Sequence, residues 1–500
     1  MLDAGLTLEP ERMRLVERFQ EKRPENWTAA DLSEYRKGMD ADASGVPQKL
    51  VYGSDFPYRG PEESLGLRYD QVGSRPSFAK GGLSNVWGAA MMPYLTRDLE
   101  GWPFKLSDLS EHYEAVLRFT GLAASTDDLE RHFPLFTTQP TELAPSLQAR
   151  TVLEHMGRHR NELARHGLCF GRSRLAVRTQ GPSTVGCVYC RLCMYGCPYG
   201  YIYSSADTLS ELQTHAEFEY QPGVVVSEVA EEGETVVVSG NRLETWKPLQ
   251  WGCKRAFIAA GAIPTTRILL KSLRAFDQTV YFRDSQYFLL PLLLFKRVPG
   301  ATREWLHALS QVFIEVIEPQ GLEKTAHIQL YSYNDLIGQA VDRVFGLWGG
   351  PLRHVLTNLK ERILIAQGFL HSDHSSQISA RLTRQSNNEP EHFELKAAVN
   401  PAAKSQVRKI VRKLFRNSVR IGAIPFQPML KIAEPGRSFH FGGSFPMSEK
   451  PRDFQTDRLG RLAGWKRVHA VDATIFPSIP GTTITLTVMA NAHRIGTEAE

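Results

Sequence analysis

The chain has 500 residues, 42% of them apolar and 23% charged, with a formal net charge of +5. That length suggests about two to four structural units, and the composition is that of a folded globular protein. It excludes wholesale disorder, a collagen-like repeat and a small disulfide scaffold, and the charge surplus is too thin over this length to imply nucleic acid.

No apolar run approaches the roughly 20 residues a membrane span needs. The longest, Phe288 to Phe295, is short, contains Pro291 and reads as a buried strand. Met1-Leu2-Asp3 is acidic and no hydrophobic stretch follows, so no secretory signal is read and a soluble, cytoplasmic protein is expected.

The opening Met1-Leu2-Asp3-Ala4-Gly5 reads as the end of a strand and its turn, followed by a helix from about Pro10 to Lys22. Residues 40 to 80, rich in Gly, Ser, Pro and Asp, read as long loops, and Ser107 as the cap of a helix reaching about Phe119. Ala206 to His215 is helical in pattern. Phe218 to Val229 and Thr235 to Val238 read as strands joined at Glu232-Gly233. Arg255 to Ala262 is an apolar strand ending in small residues, and Thr265 to Ser272 opens a helix, the local grammar of a nucleotide-binding α/β unit.

Between 278 and 400 the pattern changes. Thr279–Phe282, Gln311–Val316, His327–Tyr331 and His392–Leu395 largely alternate apolar with polar residues, as expected of an antiparallel sheet wetted on one face. Lys404 to Arg420 is a basic amphipathic helix with Val407, Ile410, Val411, Leu414 and Phe415 as its apolar stripe. It is expected to pack on the sheet, with an acidic partner or anionic lipid as the alternative use of its basic face.

Four of the six cysteines fall in Cys187-Val-Tyr-Cys190-Arg-Leu-Cys193-Met-Tyr-Gly-Cys197-Pro198. This is the C-x2-C-x2-C-x3-C-P spacing of bacterial ferredoxins, and clustered thiols in a large chain point to iron–sulfur or metal chemistry rather than disulfides. Cys187, Cys190 and Cys193 could hold a three-iron cluster, or a four-iron one if Cys197, Cys253 or Cys169 closes the site. Structural zinc and ordinary thiols remain open alternatives.

Two further groups of residues stand out. Gly81-Gly82-Leu83-Ser84-Asn85-Val86-Trp87-Gly88 lets backbone amides approach a ligand closely, although such turns are common. Near the carboxyl end, His440-Phe441-Gly442-Gly443-Ser444 sets an imidazole beside a flexible turn. A strand then ends at Asp472, and a helix starts just beyond Pro480-Gly481-Thr482-Thr483, presenting unpaired amides.

Taken together, Gly81–Gly88, Gly101-Trp102-Pro103, Phe257–Leu270, His440–Ser444 and Val471-Asp472-Ala473…Pro477…Pro480-Gly481…Thr485–Ala490 resemble the glucose–methanol–choline (GMC) family of FAD-dependent oxidoreductases. They lie in the family's order and cover most of the chain. Some branches also carry a cysteine-rich segment where Cys187–Cys197 stands, in certain cases holding an iron–sulfur cluster.

The resemblance implies an α/β fold with a discontinuous, Rossmann-type FAD-binding domain over 1–277, including the cysteine loop 187–198. An antiparallel-sheet substrate domain would span 278–440, with a return to the FAD domain over 441–500. It implies Asp3 on the adenosine ribose, Gly82, Ser84 and Asn85 along the flavin and pyrophosphate, and Val226 at the adenine. Ala260 and Gly261 would pass near the adenosine, Asp472 and Ala473 near the pyrophosphate and ring system, and Thr482 and Thr483 at the flavin's pyrimidine edge. His440 would be the base that takes the hydroxyl proton of a sugar, polyol or other alcohol while hydride passes to flavin N5. Electrons would leave through a cluster to an external acceptor.

Two positions depart from the family pattern. Thr483 stands where the family has a second histidine or an asparagine, and threonine cannot take a charge. No G-x-G-x-x-G occurs, and the first residue already lies beyond that unit. The expected account is a chain that begins at an internal methionine, because loss of the central strand would expose the flanking sheet edges. The alternative is a non-catalytic relative that has lost FAD binding and serves as a binding or scaffold protein. An electron-transfer module built on the cysteine loop alone would leave most of the chain unexplained.

Overall fold

Alternating and continuous apolar runs between 279 and 442 build two sheets, into which earlier parts of the chain are inserted. The computed structural model describes residues 1–37, 49–181, 185–317, 324–345, 353–384 and 391–499. A seven-stranded antiparallel sheet runs in the order Ala423–Pro425, Tyr287–Leu294, Ile363–Phe369, Ala326–Tyr331, Val312–Val316, Leu168–Arg172, with Lys431–Ile432 also pairing on Tyr287–Leu294. A five-stranded sheet runs Leu67–Asp70, His392–Ala398, Gln377–Thr383, Thr279–Asp284, Phe441–Gly442.

The expected alternation of wetted and buried residues is seen in Thr279–Phe282 and His392–Leu395, and is corrected for the other two segments. Every residue of Val312–Val316 and Ala326–Tyr331 is buried. The residues at even positions, Ile314, Ile328 and Leu330 among them, pack into a core with Val407, Ile410, Val411 and Leu414 of the helix Pro401–Arg416. At about 2 kcal/mol for each fully buried aliphatic side chain, that stripe is what holds the helix to the sheet. Asn400 caps the helix, its side chain accepting from the Ala402 amide at 2.9 Å. Phe415 leaves the predicted stripe and is exposed, because it lies on the flank turned away from the sheet. The opposite sheet face carries Glu315, His327, Gln329 and Tyr331, which are polar yet closed off by the rest of the molecule.

Residues 40–48 of the predicted loop stretch lie outside the described residues. The remainder is not all loop: Pro61–Ser64 is a helical turn, and Leu67–Asp70 is a strand held in parallel register on His392–Ala398, Leu67 opposite Phe393. Its partner is distant in sequence, so local pattern gave no sign of it. The helix expected from Ser107 begins instead as a 3-10 turn, Leu106–Leu109, and continues as Ser110–Thr120, with the Asp108 carboxylate accepting from the Lys105 amide.

The α/β unit is small. Ala256–Ile258 pairs in parallel with Val468–Ala470, and the Val471 amide donates to Ile258 O. Thus the carboxyl-terminal segment returns to the 256–272 unit, where the helix Ala262–Ser272 follows directly. Leu2 bridges Gln221 in parallel beside a three-stranded sheet, Val224–Glu232, Thr235–Arg242 and Pro248–Cys253. Among the described residues no helix is long and apolar enough to cross a membrane.

Candidate active site

Asp472 is the hub. It ends the strand run begun at Val468, and its carboxylate accepts from the Gly261 amide at 2.9 Å, the Thr265 hydroxyl at 2.5 Å and the Thr474 amide at 2.9 Å. Burial pushes this carboxyl up, against those hydrogen bonds. Gly261, with φ +90°, has open space where a Cβ would sit, and Ala260 and Gly261 are exposed. The sequence-predicted pairs Ala260/Gly261 and Asp472/Ala473 are therefore brought together.

The His440–Ser444 stretch lies along the same segment. The Gly443 amide donates to Ala473 O at 2.9 Å and the Phe445 amide to Thr474 O at 3.0 Å. A Cβ on Gly442 would collide with Ala473 O, so this close backbone approach demands glycine. His440 itself is fixed by its backbone: its N–H donates to Ser438 Oγ, and its carbonyl accepts from the Ser285 amide. The ring stacks on Phe369 at 5.0 Å, and Nδ1 is buried with no partner. Burial, with a contribution from His327, lowers its pKa to about 3, so the imidazole is neutral.

Beyond this, Gly481 is wedged between Phe369 O and Thr325 O, which would lie 2.8 and 2.9 Å from a Cβ. That seats Thr482 and Thr483 against the sheet. Thr482 Oγ1 is buried and unpartnered, whereas Thr483 Oγ1 accepts from the Met92 amide at 3.1 Å. Thr483 therefore joins the run after the Gly81–Gly88 loop, and among the described residues no hydrogen bond links it to His440.

The glycine loop is largely self-bonded. Asn85 donates to Lys80 O and Gly82 O, and Ser84 Oγ bonds Gly81 O and accepts from the Ser205 amide. Gly82 faces open space. Asp3, pushed up by burial, accepts from Tyr220 Oη at 2.9 Å, at the bridge between Leu2 and Gln221. Val226 lies half-buried at a bulge in Val224–Glu232. Among the described residues neither Asp3 nor Val226 makes a hydrogen bond or ring contact with His440, so they belong to a different end of any shared site.

Several residues at the site escaped sequence reasoning. His371 is buried with Nε2 unpartnered, and burial lowers its pKa to about 4. It adjoins Ser372, whose amide donates to Ile479 O, so it lies beside the Gly481 turn. Asp98, raised by burial to about 7, and Arg97, which donates to Thr325 Oγ1, approach from the Gly101-Trp102 side, where Trp102 bonds Ser478. On the sheet, His327 bonds Glu315 at 2.5 Å, and a Cβ on Gly88 would lie 3.5 Å from Tyr331 Oη. The alternation at 327, 329 and 331 was the available signal, but it also fits a solvated face.

The cysteines form a second locus. Cys187, Cys190, Cys193 and Cys197 line one small apolar pocket with Tyr199, Tyr201 and His307. The Ala308 amide points at Cys193 Sγ and the Tyr201 amide at Cys197 Sγ, both at 3.3 Å. Burial and then neighbouring thiols push Cys187 up to about 12 and Cys193 up to about 11. Cys169 and Cys253 lie elsewhere, on Leu168–Arg172 and Pro248–Cys253. Among the described residues no group of three His, Cys, Asp or Glu is placed to hold a metal ion, so neither the expected iron–sulfur cluster nor structural zinc finds support in this geometry.

Residues 371–492, the segment that carries His371, His440, Asp472 and the Gly481 turn, match the family model described as GMC oxidoreductase. Over this segment the chain is similar to the GMC oxidoreductase family, in keeping with the resemblance read from the sequence. Members of that family are oxidoreductases acting on CH–OH groups and typically bind FAD. The fold as a whole is similar to that of pyridoxine 4-oxidase from Mesorbium loti, with a TM-score of 0.55 at 14% identity over 99% of this chain and 93% of that one. A fungal aryl-alcohol oxidase gives a TM-score of 0.49 at 13% identity over 85% and 86% of the two chains. No curated protein matches the sequence.

Proposed function

We propose that this protein is an FAD-dependent oxidoreductase acting on a CH–OH group of a small alcohol, sugars and polyols included. The observation that carries the reading is that His440 and the Gly481 turn both pack on Phe369, while the Gly443 amide donates to Ala473 O and Asp472 is tied to Gly261. FAD, when bound, supplies the acceptor for the hydride lost by the alcohol carbon. The residues present fit such a group: open space adjoins Gly82 and Gly261, and Thr482 Oγ1 and His440 Nδ1 are buried polar atoms awaiting a partner. Asp3, Gly82, Ser84, Asn85, Val226, Ala260, Gly261, Asp472, Ala473 and Thr482 would hold it.

His440, kept neutral by burial, receives the substrate's hydroxyl proton at Nδ1. An imidazole with so depressed a pKa takes that proton only as the hydride leaves, so O–H and C–H cleavage are coupled on this reading. Thr483, engaged by the Met92 amide, orients the turn rather than exchanging protons.

Cys187, Cys190, Cys193 and Cys197 would hold an iron–sulfur cluster, which when bound would supply one-electron transfer to an external acceptor. Ligands of a cluster surround several atoms, so they stand further apart than those of one ion, and amides aimed at Cys193 and Cys197 favour thiolates there. A second reading, a non-catalytic relative, is favoured by the internal bonding of Asn85 and Ser84, which leaves these side chains little to offer a ligand.

The test is the visible spectrum of the purified protein together with steady-state alcohol oxidation. Bound flavin is expected, and His440→Ala should lower kcat by about 10²- to 10⁴-fold without releasing it. Protein that neither carries nor takes up flavin would overturn the reading.

A further inference from the structure

The buried polar face of the seven-stranded sheet is organised in one direction. Tyr331 donates to Gln329 Oε1 at 3.2 Å, the Gln329 amide nitrogen lies 3.1 Å from His327 Nε2, and His327 Nδ1 lies 2.5 Å from Glu315 Oε1. An amide NH2 can only donate, so His327 Nε2 accepts and its proton sits on Nδ1, directed at Glu315. Cross-strand register builds this row, since Glu315 lies opposite His327, and His327 opposite Phe369. The row ends on a single carboxylate oxygen, Glu315 Oε1.

The other oxygen, Glu315 Oε2, has no partner although the residue is 0% exposed. An acceptor lone pair on a buried carboxylate is costly to leave unmet, so a donor belongs there. Its surroundings are those of the candidate site. Phe369 spans from His327, 6.0 Å away, to His440, 5.0 Å away, while Tyr331 faces Gly88 at the other end of the row.

We propose that Glu315 is the specificity-determining residue of this site, its Oε2 accepting a hydrogen bond from a second hydroxyl of a polyhydroxylated alcohol. His327, Gln329 and Tyr331 are positioning residues that lock the carboxylate's orientation. The inference rests on the alcohol-oxidising reading above and narrows it: a substrate lacking that second hydroxyl leaves the buried oxygen unmet and is disfavoured.

The test is calorimetric binding of sorbitol and of 1-hexanol to the full chain, wild type and Glu315→Gln, with circular dichroism as the folding control. Glutamine keeps an oxygen for His327 and replaces Oε2 by a donor. Sorbitol affinity should fall about 10- to 100-fold, the weight of one charged hydrogen bond, while 1-hexanol binding is unchanged. Tyr331→Phe, which leaves Oε2 in place, should weaken sorbitol several-fold through lost orientation and serves if Glu315→Gln does not fold. Equal effects on both alcohols, or none on either, would overturn the proposal, as would tighter wild-type binding of 1-hexanol. Because binding needs no turnover, sorbitol that binds through Glu315 but is not oxidised defeats the proposed reaction and leaves this inference standing.

Discussion

The tie between Asp472 and the start of the helix Ala262–Ser272 can be weighed by a double-mutant cycle. In Asp472→Asn one carboxylate oxygen becomes an NH2. The side chain then confronts either the Gly261 and Thr265 donors or, flipped, the Thr474 amide with another donor. Buried donors left unmet cost about 1–3 kcal/mol each, so a loss of roughly 2–5 kcal/mol is expected. Thr265→Val removes one donor at nearly constant volume and should cost about 1–2 kcal/mol. In an Asp472→Ala background, where neither oxygen remains, the same change should cost much less because the hydroxyl has lost its acceptor, giving a coupling of about 1–2 kcal/mol. Urea unfolding followed by tryptophan fluorescence, with midpoint and slope both fitted, supplies the four values. Additivity to within about 0.5 kcal/mol would refute the hydrogen bond and with it the placement of Asp472 against Gly261.

Two other measurements follow from buried groups. The His371 pKa is lowered to about 4 by burial, so the unfolded chain takes up a proton below about 6.5 while the folded one does not, and its contribution to stability is lost as pH falls from 6.5 towards 4. His371→Gln should therefore gain on wild type by about 2 kcal/mol between pH 7 and 5 in urea unfolding, whereas parallel stability curves would contradict a neutral buried His371. Asp98 and Asp284, both raised to about 7, slope the opposite way, which is why the comparison must be between variant and wild type. For the cysteine cavity, iron content and visible absorbance of protein reconstituted without oxygen should drop in Cys190→Ser. Unchanged iron would exclude Cys190 as a ligand.

What could be read from the chain depended on how local the constraint was. Gly442 is legible because backbone contact with Ala473 O permits nothing larger, and that demand leaves its mark in the sequence itself. The same holds for the Gly481 turn and for Asp472 at a strand end. Asn85 shows the limit: its residue type suits a ligand contact, but the folded loop commits both amide hydrogens to Lys80 O and Gly82 O. Glu315 and His327 were hidden for another reason. Their meeting depends on the register between two strands, and a polar residue at alternate positions looks alike whether water or another part of the chain covers it. Likewise Leu67–Asp70 becomes a strand only because His392–Ala398 offers it an edge.

The make-up of the five-stranded sheet bears on how the molecule is born. Its neighbours come from residues 67–70, 392–398, 377–383, 279–284 and 441–442, and Asp472 closes on Gly261 later still. A ribosome must therefore deliver nearly the whole polypeptide before the sheet or the site can exist, and until then the emerging strands lack their partners. Such a nascent chain holds unpaired edges for much of its synthesis, which makes its production sensitive to temperature and to chaperone supply.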